Sequence, residues 1–354
     1  MADYYEIDFL KVGTTGSGDA ICVRYELNGT TYIHVVDGGY ADTGQDVVDH
    51  LSTHYGTTDI NHVVATHPDG DHANGLRKVL EQCEVGTLWM NRPWEYADEL
   101  VDRFARYTNA DNLRKRLREV FPNLAALEDI AVDRGITIRE AFQGACIGQF
   151  TVLGPTFDTF LNKVVECERT PAAVKELSFG EQILAKLSEA AGLIKSVWGE
   201  ENFPDGDTQP RNAMSIVQYA RLSEQNIVLT GDTGRAGLDE AADYAPMAGL
   251  SLPGIDKFQV PHHGSRRNVS SETLDRWLGP KKGEGSDQTF EAIISASEND
   301  KDHPRRVVVR ALRHRGAKVR STEKAGLCIP GGSSPVRGGW VPAPELDYPT
   351  EQEE

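Results

Sequence analysis

Three apolar stretches of this chain each end abruptly in side chains that bind cations, and that repetition narrows the folds open to it. Residues 60–65 run into Thr66-His-Pro-Asp-Gly-Asp-His72, residues 227–230 into Gly231-Asp232, and residues 257–260 into Pro261-His-His-Gly-Ser265. Short apolar stretches bounded by Gly, Pro and Asp read as buried strands. A single Asp after a strand is ordinarily a turn former, and a single His ordinarily a satisfied core or surface residue. Three such ends in one chain call for a fold that gathers strand ends at one edge.

The densest of the three is His67-x-Asp69-x-Asp71-His72. Imidazole suits zinc and manganese alike, and added carboxylates shift the preference toward harder ions. Pro68 and Gly70 keep the segment a loop, which excludes the helical H-E-x-x-H arrangement. Taken alone it reads equally as a polar turn whose Asp71 caps the next helix. The ends at Asp232 and at His262-His263 tip the balance toward a metal centre.

Elsewhere the patterning predicts strands over 4–12, 20–27 and 31–36, a helix over 45–54, and a helix over 73–82 directly after the His67 loop. Residues 94–135 and 157–195 turn helical and charged, with Leu113, Leu117, Val120 and Leu124 at three- and four-residue steps. Strand returns at 136–138, 146–153, 213–220, 292–296 and 318–320, with helices over 271–278 and 304–314. The expectation is a single domain over 1–330, with helical insertions at about 94–135 and 157–195. A Gly/Pro-rich acidic tail over 331–354 is expected to be loosely ordered.

Composition bounds the function. Lys and Arg number 37 against 54 Asp and Glu, a net charge of −17 over 354 residues. A broad face for duplex DNA would be basic, so nucleic acid would enter only a local groove. No apolar run reaches the ~18–20 residues of a membrane span, and the start of the chain lacks a basic region followed by an apolar core. The expectation is a soluble, cytoplasmic protein with no membrane partner. Cys22, Cys83, Cys146, Cys167 and Cys328 are dispersed without C-x-x-C spacing, which argues against a disulfide framework or a thiolate zinc site.

The series T-H-P-D-G-D-H, L-T-G-D and V-P-H-H-G-S resembles that of metallo-β-lactamase-fold hydrolases. Its wording is closest to the hydrolase domain of ComEC-type DNA-uptake proteins and their free-standing relatives. Supporting pieces are Phe9-Leu-Lys-Val-Gly13 with Gly18-Asp-Ala20, Val36-Asp-Gly-Gly39, Asn212-x-x-Ser215, and Asn299 with His303-Pro304 ahead of Gly316-Ala-Lys-Val319. The resemblance covers 4–90 and 212–330 and implies a mixed α/β fold, an αββα sandwich with metals at the edge where the loops of two sheets meet. It implies His67 and Asp69 on one metal, Asp71, His72 and His263 on the other, and Asp232 bridging. The chain departs from the family in having no histidine between His72 and His262, so the family's middle histidine ligand is absent and the Asn212 region stands in about its place.

The implied function is a metal-dependent phosphodiesterase or nuclease, using a metal-bound hydroxide at a dinuclear Zn or Mn site. Asp71, His303 and His262 are the candidate catalytic residues. Asn299, His303, Arg266 and Ser265 are candidates for binding a nucleic-acid or nucleotide-like phosphodiester, and His303 reads equally as a helix-entry residue before Pro304. A hydrolase of a small substrate (a lactone, thioester or cyclic nucleotide) and a metal-binding sensor with little catalysis are the alternatives. A protein partner or a homodimer is compatible with either.

Overall fold

Alternating side chains and a two-residue turn start the fold. β1 (Tyr4–Phe9), β2 (Ala20–Leu27) and β3 (Thr30–Gly38) form an antiparallel meander. Asn28 and Gly29, both at positive φ, close the β2–β3 hairpin, the backbone that a tight primed turn demands. The computed structural model describes every residue except 1–2, 14–15, 106, 170–191 and 339.

After β3 the chain changes habit. β4 (Asp59–Val64), β5 (Glu84–Trp89) and β6 (Thr137–Arg139) add in parallel, each reached through helix. The second half repeats the plan. β7 (Cys146–Ile147), β8 (Phe150–Gly154), β10 (Val217–Leu222) and β11 (Gln225–Leu229) pair antiparallel. β12 (Lys257–Gln259), β13 (Phe290–Ile294) and β14 (Ala317–Ser321) then add in parallel through helices Arg235–Tyr244, Ser271–Leu278 and Arg306–His314. β15 (Leu327–Gly332) returns to pair with β1. Among the described residues the result is two seven-stranded sheets and one two-stranded ribbon, β9 (Leu193–Lys195) with β16 (Glu351–Glu353).

Three apolar clusters show the layering. Ile7, Val23, Val36 and Val64 of the first sheet meet Phe150, Val152, Ile227, Leu229 and Ile293 of the second. The outer face of each sheet packs against its own helices. This is the αββα sandwich that the motif series implies. Each fully buried Val, Leu, Ile or Phe contributes about 1.5–3 kcal/mol, so the central layer sets where the strand ends lie. Because the parallel strands of both sheets open toward the same edge, their following loops converge there.

Helices Ala110–Val120 and Pro122–Asp133 bury Leu113, Leu117, Leu124 and Leu127, with Phe121 at their junction, against the first sheet's helix layer. Helix Phe157–Arg169 buries Phe160, Leu161 and Val164 in the same cluster. The remainder of the helical stretch expected over 157–195 falls largely outside the described residues, and Leu193–Lys195 is strand. Among the described residues no helix is long and apolar enough to cross a membrane.

The tail differs from expectation. Arg337 forks onto two fully buried carboxylates of β1, donating to Glu6 at 2.9 Å and to Asp8 at 2.8 and 2.9 Å. Farther on, the Glu353 carboxylate accepts from the Arg306 and Val307 amides at 2.9 and 3.0 Å, capping helix Arg306–His314. Gly and Pro stop the tail from forming a helix, but buried charges on the body give it fixed partners.

Candidate metal centre

The His67 loop is held from below by an acid of β3. Asp37, at φ 57 and fully buried, accepts from the Thr66 amide at 2.8 Å, the Thr66 hydroxyl at 2.6 Å and His72 Nδ1 at 2.9 Å. These bonds fix the tautomers. Thr66 Oγ1 spends its proton on Asp37, so it accepts from His67 Nδ1–H at 3.0 Å. His72 Nδ1–H is likewise committed to Asp37, and His263 Nδ1–H donates to the Ser295 carbonyl at 2.9 Å. In all three rings Nε2 is left with its lone pair, and all three Nε2 atoms are buried without a hydrogen-bond partner.

Those lone pairs face carboxylates. Asp232 Oδ1 lies 3.3 Å from His72 Nε2, and Asp232 Oδ2 lies 3.7 Å from His67 Nε2 and 3.8 Å from His263 Nε2. Asp71 Oδ2 lies 3.9 Å from His72 Nε2 and 3.7 Å from His263 Nε2. An acceptor facing an acceptor in a buried site is unfavourable unless a cation lies between them. Ligand-type atoms group within 4.8 Å as Asp71–His72–His263, Asp19–His72–Asp232 and Asp37–His67–His72. The hydrogen bonds that Asp37 already accepts mark it as the group that orients His67 and His72. The donor set therefore fits divalent cations held by imidazole and carboxylate.

The electrostatics agree. Burial opposes charge on His263, yet Asp232, Asp71 and Asp19 push its pKa up to about 9. His72 is held well above the ordinary histidine value against the same desolvation, chiefly by Asp232 and Asp71. Burial would raise both carboxyls, but His72 and His263 bring Asp71 down to about 2, and His72, His262 and His263 hold Asp232 well below the ordinary carboxylate value. The site attracts positive charge at Nε2 whether a proton or a metal supplies it.

Backbone conformation aims the third loop. His262 and His263 sit at φ 49 and φ 55, consecutive left-handed residues that cost of order 1–3 kcal/mol each and mark a position held for function. Gly18 is needed for close approach, since a Cβ there would lie 2.5 Å from the Asp71 carbonyl. Beside it Asp19 donates its amide to that carbonyl at 3.2 Å, and its carboxylate accepts from Gln259 Nε2 at 2.9 Å. Burial raises the Asp19 pKa despite His263 and His72.

Of the residues expected at the site, His67, Asp71, His72, Asp232 and His263 converge. His262 stands at the rim, outside the three ligand groupings among the described residues, with Nε2 3.7 Å from Asp232 Oδ2. Asp69 is turned outward, 3.7 Å from the Arg211 guanidinium, and belongs to none of the ligand groupings among the described residues. The His303 ring lies 5.4 Å from that of His262, its Nδ1 3.1 Å from Asp300. Ser17 donates to the same Asp300 oxygen at 2.7 Å. Asn299 is exposed. Arg266 reaches the Glu354 carbonyl at 3.1 Å, and Ser265 Oγ accepts from the Arg267 amide at 3.4 Å. Asp37, Asp19, Thr66 and Asp300 were missed as site residues. The Asp-Gly-Gly and Gly-Asp-Ala strand ends were the signal for the first two.

No family model matches the chain, and no curated protein matches it. Among solved structures, the metallo-beta-lactamase fold protein YhfI from Bacillus subtilis is 10% identical over 93% of this chain and 100% of its own, with a TM-score of 0.40. A variant of the CmlA beta-hydroxylase is 12% identical over 91% of this chain and 53% of its own, with a TM-score of 0.42. A metallo beta lactamase from Hirschia baltica is 12% identical over 70% of this chain and 83% of its own, at 0.29.

Proposed function

We propose that this chain is a metal-dependent hydrolase of the metallo-β-lactamase type, acting on phosphodiesters. The observation that carries the reading is the set of buried, partnerless Nε2 atoms of His67, His72 and His263 facing Asp232 and Asp71. Asp232 would bridge, Asp71, His72 and His263 would hold one ion, and His67 would help to hold the other. Bound divalent cations would supply the Lewis acidity that activates water near neutral pH and neutralises a phosphoryl oxygen.

The chain's own groups do the rest. His303, whose Nδ1–H is held by Asp300, keeps a lone pair on Nε2, which can take a proton from the attacking water and return it to the leaving oxygen. Arg211 donates to the Val120 carbonyl at 2.8 Å and holds its guanidinium 3.7 Å from Asp69 of the His67 loop. The motif series, closest in wording to ComEC-type hydrolases, also supports a phosphodiester substrate. Hydrolysis of a small substrate is favoured by one feature: the Asn123 amide donates to the Pro68 carbonyl at 2.9 Å, so the helical insertion walls one side of the loop.

The test is a substrate panel. Protein loaded with Mn²⁺ or Zn²⁺ is offered a phosphodiester, a lactone and a thioester in parallel. Turnover of the phosphodiester well above the other two is expected. Preference for the lactone or thioester would move the assignment to small-substrate hydrolysis.

A further inference from the structure

We infer that His262 is a metal ligand, completing together with His67 and Asp232 the position for which the chain has no middle histidine. The inference rests on the metal-centre reading above. It goes beyond that reading because His262 there stood only as a rim residue.

The tautomer of His262 can be deduced as for the other three rings. Asn268 Nδ2 donates to the carbonyls of Asp232 at 2.9 Å and Thr233 at 3.0 Å. Its amide orientation is therefore fixed, and Oδ1 is the atom that meets His262 Nδ1 at 3.0 Å. An amide oxygen accepts, so Nδ1 carries the proton and Nε2 keeps its lone pair. That lone pair lies 3.7 Å from Asp232 Oδ2, the same oxygen that stands 3.7 Å from His67 Nε2. His262 thus shares with His67, His72 and His263 an Nδ1–H tied to an oxygen behind and an Nε2 facing Asp232, though here the Asn212 amide nitrogen also stands 3.4 Å from that Nε2. Anchoring one ring nitrogen on an oxygen is how proteins orient a metal-binding histidine.

Two further features fit a ligand. The left-handed backbone at both His262 and His263 turns adjacent rings toward one carboxylate, which an extended Val-Pro-His-His segment would send to opposite sides. The Asn212 amide nitrogen lies 3.2 and 3.4 Å from the two ring nitrogens of His262, so the Asn212 segment buttresses His262. A residue that only met substrate would need no such bracing on two sides.

The experiment counts ions. Wild type, His262→Asn and His262→Glu are stripped and titrated with Zn²⁺ and with Co²⁺, the ions bound per chain being read by elemental analysis and the Co²⁺ environment by visible absorption. Asn tolerates the left-handed backbone but falls short of the Nε2 position, while Glu places a carboxylate oxygen near it. Circular dichroism checks that each variant is folded. Wild type should take two ions. His262→Asn should hold one at unchanged affinity and the other more weakly by about 100-fold or more, with half of the Co²⁺ absorption lost. His262→Glu should recover part of the second affinity, a rescue that a substrate-contacting role would not produce. Two ions at unchanged affinity in His262→Asn would overturn the inference, and so would a wild type that takes only one. A wild type that takes none would overturn the hydrolase reading beneath it.

Discussion

Asp232 is buried to 2% exposure beside four imidazoles, and burial gives its charge its reach. In the metal-free protein His263 keeps its proton up to about 9, so a cation arriving at neutral pH must displace it. Metal affinity should therefore rise with pH from neutral toward about 9. Calorimetry in two buffers of different ionisation enthalpy should detect proton release at neutral pH, and an identical heat in both would contradict this account. The sign for stability is the reverse. A histidine whose folded pKa is raised stabilises the metal-free fold fully below its unfolded value and loses that contribution as pH rises through about 9. Asp37 makes a separate prediction: Asp37→Ala leaves the ligands in place but frees Thr66 and His72, and should lower metal affinity about 10- to 100-fold. Competition against a chelator measures it, and unchanged affinity would deny Asp37 its orienting role.

Single elements carry consequences of their own. Arg337 is tail, yet it neutralises Glu6 and Asp8 inside β1. Glu6 keeps Arg24 and Asp8 keeps His50 when Arg337 is removed, so Arg337→Ala should cost the lost charged hydrogen bonds, about 1.5–3 kcal/mol. Thermal unfolding reads this directly, and a melting temperature unmoved by the change would make the tail incidental. On β3, burial brings His34 down to about 3, and both its ring nitrogens lack partners. Its contribution is whole above the ordinary histidine value and drains away as pH falls toward about 3. A His34→Leu variant should therefore lose less stability on acidification over that range than the wild type. These elements also show what sequence can reveal. β2 matches its expected bounds because its alternation and Asn28-Gly29 turn are local signals. Strand Glu84–Trp89 begins with polar, half-exposed residues, and Leu327–Gly332 contains Pro330 and two glycines, so neither has the pattern of a strand. Helix Arg235–Tyr244 was masked by the Gly-Asp-Thr-Gly ahead of it. The ligand motifs were legible because each is contiguous. Gln259 on Asp19 and Arg337 on Asp8 join residues hundreds of positions apart, and no local period announces them.

On the scale of the whole molecule, the fold brings loops from both halves of the chain to one edge, while the net charge of −17 gives the molecule a long-range field that repels polyanions. A polynucleotide feels that field over distances that a small diester does not. Screening shortens its range to about 8 Å at physiological ionic strength. Turnover of single-stranded DNA should therefore rise as salt is raised from low toward physiological, while turnover of a small diester stays flat. A steep fall with salt would instead mean an extended phosphate-binding face. The most direct test of the central claim is hydrolysis of bis(p-nitrophenyl) phosphate by the metal-stripped and the Mn²⁺- or Zn²⁺-loaded protein, beside Asp71→Ala and His263→Ala. Cleavage that needs the metal and is lost in both variants is the predicted result. Metal bound at the site with no cleavage under either ion would contradict phosphodiester hydrolysis as its function.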